Sequence, residues 1–566
     1  MEWRSCPHHP HPASCLHSPG RGKGMGQPPP PAPGRKLAGG WFVLGDGAVG
    51  GGGLQTLQEV ASWFPLRSPD RHCWRHWLWA AQHLSLQNNR LQELPYNELS
   101  RLRDLRTLDL HNNLLSSEGL PDEAFESLTE LQHIYVANNK LSVAPQFLPR
   151  SVRVVDLAAN QVMEVFPLTF GEKPALRSVY LHNNQLANAG LPPDAFRGSE
   201  AVATLSLSNN RLRYLPPSLP PSLERLHLQN NLISKVPRGA LSRQTHLREL
   251  YLQHNQLTDG GLDNTTFSKL HSLEYLDLSH NQLASVPTGL PRSLAILHLG
   301  RNHIRQVHAE RLRGAEGLRY LLLQHNQLGT SGLPAGALRP LRRLHTLHLY
   351  GNGLARVPPA LPRRLRALVL PHNRVAALGA RDLAATPRLT ELNLAYNLLA
   401  SARVHRRAFR RLRALRSLDL AGNQLTQLPS GLPGSLHSLR LQRNQLRALE
   451  PEQLAGLAQL RELSLAHNRL RVGDIGPGAW HELQALQVRD GRLWPRLLSP
   501  GCPLFPFCAP GALFSSAGIG AARMGAGAWA WPGGGCPEVR GEGPAGPTAR
   551  ARCCHLRPVA PARCWT

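Results

Sequence analysis

The sequence predicts an α/β-type repeat solenoid, a horseshoe with a parallel β-sheet on its concave face and little helix on its convex side. Two observations carry this. An eleven-residue pattern, L-x-x-L-x-L-x-x-N-x-L, recurs along the chain and is cleanest as LEYLDLSHNQL at 273–283. Its asparagine occurs seventeen times from Asn89 to Asn468, at intervals of 24, 26 and 21 residues that repeat as an unbroken triplet with a 71-residue period. Chance does not produce such a rhythm, so a compact globule is excluded and each coil must bury its leucines against the next.

Within the unit, Leu276 and Leu278 alternate with Tyr275, Asp277 and Ser279. That period of two marks a short strand with one buried and one open face. Asn281 then turns the corner, where an amide that both donates and accepts can satisfy backbone leaving the ladder. The motif is that of the leucine-rich repeat. With strands about 4.8 Å apart, the repeats would build a sheet on the order of 75–80 Å long.

Taken in order, residues 1–80 are rich in Pro, Gly and His, with PPPPAPG at 28–34 and GAVGGGG at 47–53, and show no repeat pattern. This segment is expected to be mostly disordered. Its exception is CWRHWLW at 73–79, whose tryptophans would cover the open edge of the first strand around Leu84. The solenoid occupies 81–488. Its 21-residue intervals carry V/L-P-x-x-L-P, as in VPTGLPRSL at 286–294, and prolines so spaced require an extended return path rather than a helix. The 26-residue intervals carry G-L-P-D-E-A-F at 119–125, G-L-P-P-D-A-F at 190–196 and G-L-D-N-T-T-F at 261–267. There a turn and a short helical stretch would aim Phe125, Phe196 and Phe267 inward. The rhythm wants further asparagines at 68 and 494, but Ser68 and Trp494 stand there. Residues 489–566 form a Gly/Ala/Pro/Cys-containing tail that is also expected to be disordered.

The formal charge of +27 is uneven. Residues 81–299 hold nineteen basic and twenty acidic side chains, whereas 300–488 hold twenty-eight arginines against ten acids. A one-sided arginine field favours polyanions, and the planar guanidinium suits sulfate, carboxylate and phosphate. The competing reading is compositional bias, since Arg, Ala, Gly and Pro crowd the tails as well. Nine cysteines, Cys6, Cys15, Cys73, Cys502, Cys508, Cys536, Cys553, Cys554 and Cys564, all fall outside the repeats, so the solenoid does not depend on disulfides. The run Cys553-Cys554-His555 lacks the paired spacing of a zinc site. No stretch has the length and apolarity of a membrane span.

The 24-26-21 rhythm and the text LSLQNNRLQELPYNELSRLRDLRTLDLHNN resemble the small leucine-rich proteoglycans, in particular their podocan group, over roughly 81–488. The resemblance implies a secreted, non-enzymatic extracellular-matrix protein with collagen or another matrix protein as its partner. This chain departs from the family pattern: it shows no apolar signal core at its start, no cysteine cluster before the first repeat and no cysteine-containing final repeat. An intracellular, cytoplasmic repeat scaffold is therefore the alternative. Asn264-Thr265-Thr266, the one N-glycosylation acceptor in the chain, favours the secretory route and marks Asn264 as a modification site.

Function is expected on two surfaces. The third, fifth, seventh and eighth residues of each motif project from the concave sheet or its rim. Tyr135, Tyr180, Tyr251, Tyr275, Tyr320, Tyr350 and Tyr396 occupy such positions, and Glu249, Asp277 and His298 stand among them. Tyrosine offers apolar area and one hydroxyl at low entropic cost, as binding surfaces require. The alternative is that tyrosine merely suits strands and stacks along a ladder. The second surface is the outer wall, where VHRRAFRRLRALR at 404–416 concentrates charge. Arg403, Arg406, Arg407, Arg410, Arg411, Arg413 and Arg416 are the candidates there for heparan or another sulfated glycosaminoglycan. Nucleic acid is not expected, because no aromatics interleave with these cations. No cofactor, metal or catalytic residue is expected: nucleophile elbow, phosphate loop and H-E-x-x-H are all missing. His254, His280, His325, His372 and His467 each precede a repeat asparagine, which marks them as repeat residues rather than ligands.

Overall fold

A computed structural model describes residues 35–37, 41–43, 81–94, 99–477, 479–481 and 483–487. Two short strands, β1 (Arg35–Leu37) and β2 (Trp41–Val43), form an antiparallel hairpin. Strand β2 pairs in parallel with β3 (His83–Ser85), the first repeat strand, with Trp41 opposite His83. From β3 to β19 (Glu462–Ser464) the repeats contribute seventeen strands of three residues, one per coil and each parallel to its predecessor. The Trp-rich stretch 73–79, all nine cysteines and the tail 489–566 lie outside the described residues.

The register keeps one aliphatic row continuous: Leu84 faces Leu108, Leu250 faces Leu276, and Leu439 faces Leu463. The middle residue of each strand is buried in every coil but the last described one, where Leu463 is only partly covered. Leu273, Leu276, Leu278 and Leu283 of the reference repeat are all at most 1% exposed. Each such leucine contributes roughly 1.5–3 kcal/mol of burial, which is why so regular a spacing dictates a stacked array.

The asparagine does more than turn a corner. Asn281 Nδ2 donates to the Leu278 carbonyl of its own coil at 3.1 Å and to the Leu252 carbonyl of the preceding coil at 2.9 Å. Its Oδ1 accepts the Leu257 N–H, again from the preceding coil, at 3.0 Å. The same set recurs along the array, for example at Asn139, Asn352 and Asn444. The residue before it has its own rule: in all seventeen coils this position has φ between 50° and 67°. Only Gly, Asn and a few polar residues enter that region readily, which explains the Asn-Asn doublets and the repeat histidines.

Outside the sheet the coils are closed by turns and short helices. No helix among the described residues exceeds four residues. Phe125 ends a 3₁₀ turn (Asp122–Phe125), as the spacing predicts. In the next two long coils the 3₁₀ turn falls earlier, at Asn188–Gly190 and Asp259–Gly261, and Phe196 and Phe267 are delivered by plain turns. The glycine of the G-L-P/D motif is required in all three coils: a Cβ on Gly119, Gly190 or Gly261 would meet the Gln92, Met163 or Ser234 carbonyl of the preceding coil at 2.0, 1.9 and 2.2 Å. All three phenylalanines are buried, and Phe196 stacks on Phe170 at 5.7 Å.

Candidate functional site: the open face of the sheet

Since the middle residue of each strand points inward, its two neighbours face out, and the parallel register turns them into rows. The fifth-position row begins Asp109, Tyr135, Asp156, Tyr180, each opposite the next on consecutive strands. Burial, followed by the charges of Asp156 and Asp109, raises the Tyr135 phenol above its ordinary pKa. Burial likewise raises Asp156. An acid and an aromatic thus alternate over these four strands.

The densest cluster sits mid-array. Tyr251 and Tyr275 come from adjacent strands and their rings lie 4.9 Å apart; His227 stacks on Tyr251 from the other side at 4.5 Å. The Tyr251 hydroxyl donates to Glu249 at 2.9 Å, and Glu249 also faces Arg225 Nε at 3.4 Å. Burial and that hydrogen bond push the Tyr251 phenol up to about 12, so it stays a donor at neutral pH. The Tyr275 hydroxyl reaches Asp277 at 3.3 Å and is raised by burial and the Asp277 charge. Burial alone would raise the Asp277 carboxyl, but His298 and Ser279 hold it below the usual range through hydrogen bonds and the imidazole charge. His298 Nδ1 lies 3.1 Å from Asp277, and its Nε2 lies 2.6 Å from the Gln324 amide. Glu249 with Tyr251, and Tyr275 with Asp277 and His298, are therefore two hydrogen-bonded sets joined by the contact of the tyrosine rings. His227, Arg225 and Gln324, which sequence reasoning missed, complete the cluster; their signal was a concave motif position one coil away.

The other tyrosines do not join it. Tyr320 stands exposed at the third motif position, the first residue of its strand. Tyr350 and Tyr396 lie on the rim after the strands, where rings from successive coils alternate: His325 to Tyr350 at 4.5 Å, Tyr350 to His372 at 5.2 Å, His372 to Tyr396 at 4.6 Å. Gly422 follows in this row at φ +63°, and a Cβ there would meet the Tyr396 ring at 2.4 Å. Gly422→Ala is expected to cost about 1–2 kcal/mol from backbone strain and ring displacement. Gly329→Ala, with open space around it, should leave the melting temperature within a degree or so. Equal melts for both variants would refute this account of the rim.

All seven candidate arginines are exposed, while Ala408 and Phe409 between them are buried. Among the described residues none of the seven meets a carboxylate in an ion pair. Arg403 closes the 3₁₀ turn Ser401–Arg403 and Arg406 to Arg413 follow on the outer side. Arg416 differs from the expected outer-wall placement: it immediately precedes strand Ser417–Asp419 and lies on the edge of the sheet. Asn264 is exposed on its outer turn. The neighbouring Asp263 carboxylate accepts from the Thr265 hydroxyl and N–H, both at 2.8 Å, and from the Thr266 hydroxyl at 3.0 Å, and these bonds, the Thr265 hydroxyl's first, lower its pKa.

The match to known proteins follows this geometry. The family described as leucine rich repeat matches residues 221–283, 292–354, 363–425 and 434–488. Podocan-like protein 1 of Homo sapiens is 84% identical over 439 residues, which is 77% of this chain and 85% of that protein. The chain belongs to the podocan group of the small leucine-rich proteoglycans. Podocan of Mus musculus, at 56% identity, aligns with 72% of this chain and 67% of its own length. A leucine-rich-repeat protein of Leptospira interrogans shares the fold alone, with a TM-score of 0.57 at 24% identity over 75% of this chain and 99% of its own. Keratocan of Homo sapiens, 33% identical over 260 residues, is a more distant relative, aligning with 44% of this chain and 73% of its own length. No helix among the described residues is long and apolar enough to cross a membrane.

Proposed function

We propose that this protein is a secreted, non-enzymatic matrix component that docks an extended partner of the collagen type on the open face of its sheet. The observation that carries this is the mid-array group in which two tyrosines with rings in contact are flanked by Glu249 and Asp277. A collagen-type rod winds polyproline II chains and displays proline rings and basic side chains. Aromatic surfaces take the former, as in other polyproline recognition, and carboxylates take the latter. The sheet is held rigid by its asparagine ladder, so little ordering cost opposes binding. The exposed arginines of the second half form a separate polyanion-binding side for sulfated glycosaminoglycan.

Binding of the full chain to immobilised triple-helical peptide tests the reading. Saturable binding that weakens when peptide lysines and arginines are replaced supports it; binding indifferent to those replacements would overturn it. A glycopeptide containing Asn264, recovered from conditioned medium, supports the secretory route. Retention of unglycosylated chain in the cytosol would favour the scaffold reading instead.

A further inference from the structure

We infer that the polyanion-binding site is a straight row of arginines along the leading edge of the sheet, one residue ahead of each strand's first residue, rather than the outer-wall cluster; this rests on the polyanion part of the proposed function. The residues concerned are Arg319, His345, Arg366, Thr390, Arg416, His437 and Arg461. They occupy the same motif position in seven consecutive coils, and each donates its backbone N–H to the carbonyl of the one before at 2.7–2.8 Å. The backbone therefore fixes their spacing. An arginine stands on every second strand, about 9–10 Å from the next, so the row spans on the order of 29 Å.

All four arginines are exposed, and the residues between them are half-buried and carry no negative charge. Among the described residues none of the four is engaged in an ion pair. Arg342, Arg343, Arg363, Arg364 and Arg413 lie in the turns that lead into the same edge and reinforce it. Proximity is real: burial first, then the charges of Arg366, Arg319 and Arg364, lower the His345 pKa. The same edge in the middle of the chain reads Glu224, Arg248, Glu274, so its acids interrupt the row before Arg319.

An evenly spaced line of planar guanidiniums on an inflexible edge fits a linear polymer whose sulfates and carboxylates recur along an extended chain. The only aromatic rings within the row are the half-buried imidazoles of His345 and His437, which offer little open face for stacked bases and so disfavour single-stranded nucleic acid. The outer-wall arginines add to the field but hold no comparable alignment.

The test uses full-length protein and heparin oligosaccharides of graded length. Replacing Arg319, Arg366, Arg416 and Arg461 with Gln is expected to weaken binding at least tenfold, while Arg406, Arg407, Arg410 and Arg411 to Gln weakens it threefold or less. Arg248→Gln should have no effect. Wild-type affinity should rise with oligosaccharide length until the row is covered and then level off. The reverse ranking of the two quadruple variants would overturn the row while leaving polyanion binding intact. Failure of the wild type to bind heparin would overturn both. Competition by single-stranded DNA as effective as heparin at equal charge would overturn the sulfated-glycan assignment.

Discussion

Asn281→Ala is expected to destabilise the solenoid by on the order of 3 kcal/mol, the largest stability effect of any single polar change in the array. The alanine leaves the Leu257 N–H, buried between two coils, without its acceptor at 3.0 Å. It also removes a donor from the Leu252 and Leu278 carbonyls. An unpaired buried backbone group costs about 1–3 kcal/mol, and here donor and acceptors are lost together. Asn281→Asp is the sharper control, because it keeps an acceptor for Leu257 while setting a carboxylate oxygen against two carbonyls. It should cost at least as much as alanine. Because coils interact only with neighbours, hydrogen exchange should speed up around strands Glu249–Tyr251 and Tyr275–Asp277 before the distant coils respond. Thermal melts of Asn281→Ala matching wild type would show that the amide merely occupies a corner.

Removing both mid-array rings, Tyr251→Ala with Tyr275→Ala, is expected to cost on the order of 2 kcal/mol or more of binding to a collagen-type peptide, about thirtyfold. These side chains point away from the leucine core, but the structure does not leave them free of structural work. His227 stacks on Tyr251, Tyr275 leans against Tyr251 at 38°, and both hydroxyls are bonded to carboxylates. Loss of the stack therefore removes about 1 kcal/mol of stability as well. The pair Tyr251→Phe and Tyr275→Phe separates the two effects, since it keeps the rings and drops only the hydroxyl bonds. If the rings are the anchors, the phenylalanine variant binds within a few fold of wild type while the alanine variant does not. Equal binding by stably folded alanine variant and wild type would remove the rings from the interface.

The fold was legible because a repeat announces itself: one leucine set and one asparagine, copied at fixed intervals, leave no other way to bury the apolar face. What surrounds the repeat was less so. The positive φ before each asparagine is visible in the sequence only as the Asn-Asn doublets and as Gly351 and Gly422, and the histidines there obscure it. The need for glycine at 119, 190 and 261 comes from close approach to the preceding coil's carbonyls, which no local pattern encodes. At the candidate site, period and position placed Tyr251, Tyr275, Glu249 and Asp277 on one face. That Gln324 joins through His298, and that Tyr350 and Tyr396 belong to a rim row of their own, follows from side-chain geometry between coils. The outer-wall arginines drew notice because they are contiguous in sequence. The edge row escaped it because its members lie in different coils and meet only when the coils stack.

Carbodiimide labelling of carboxylates, read by mass spectrometry with and without a triple-helical peptide, tests the docking face most directly. Asp194 and Glu200, exposed on the outer turns, serve as the reference. The account predicts that labelling of Asp109, Asp156 and Glu249 falls several-fold on peptide binding while Asp194 and Glu200 label as before. Protection of Asp194 and Glu200, with the open-face carboxylates unchanged, would contradict it.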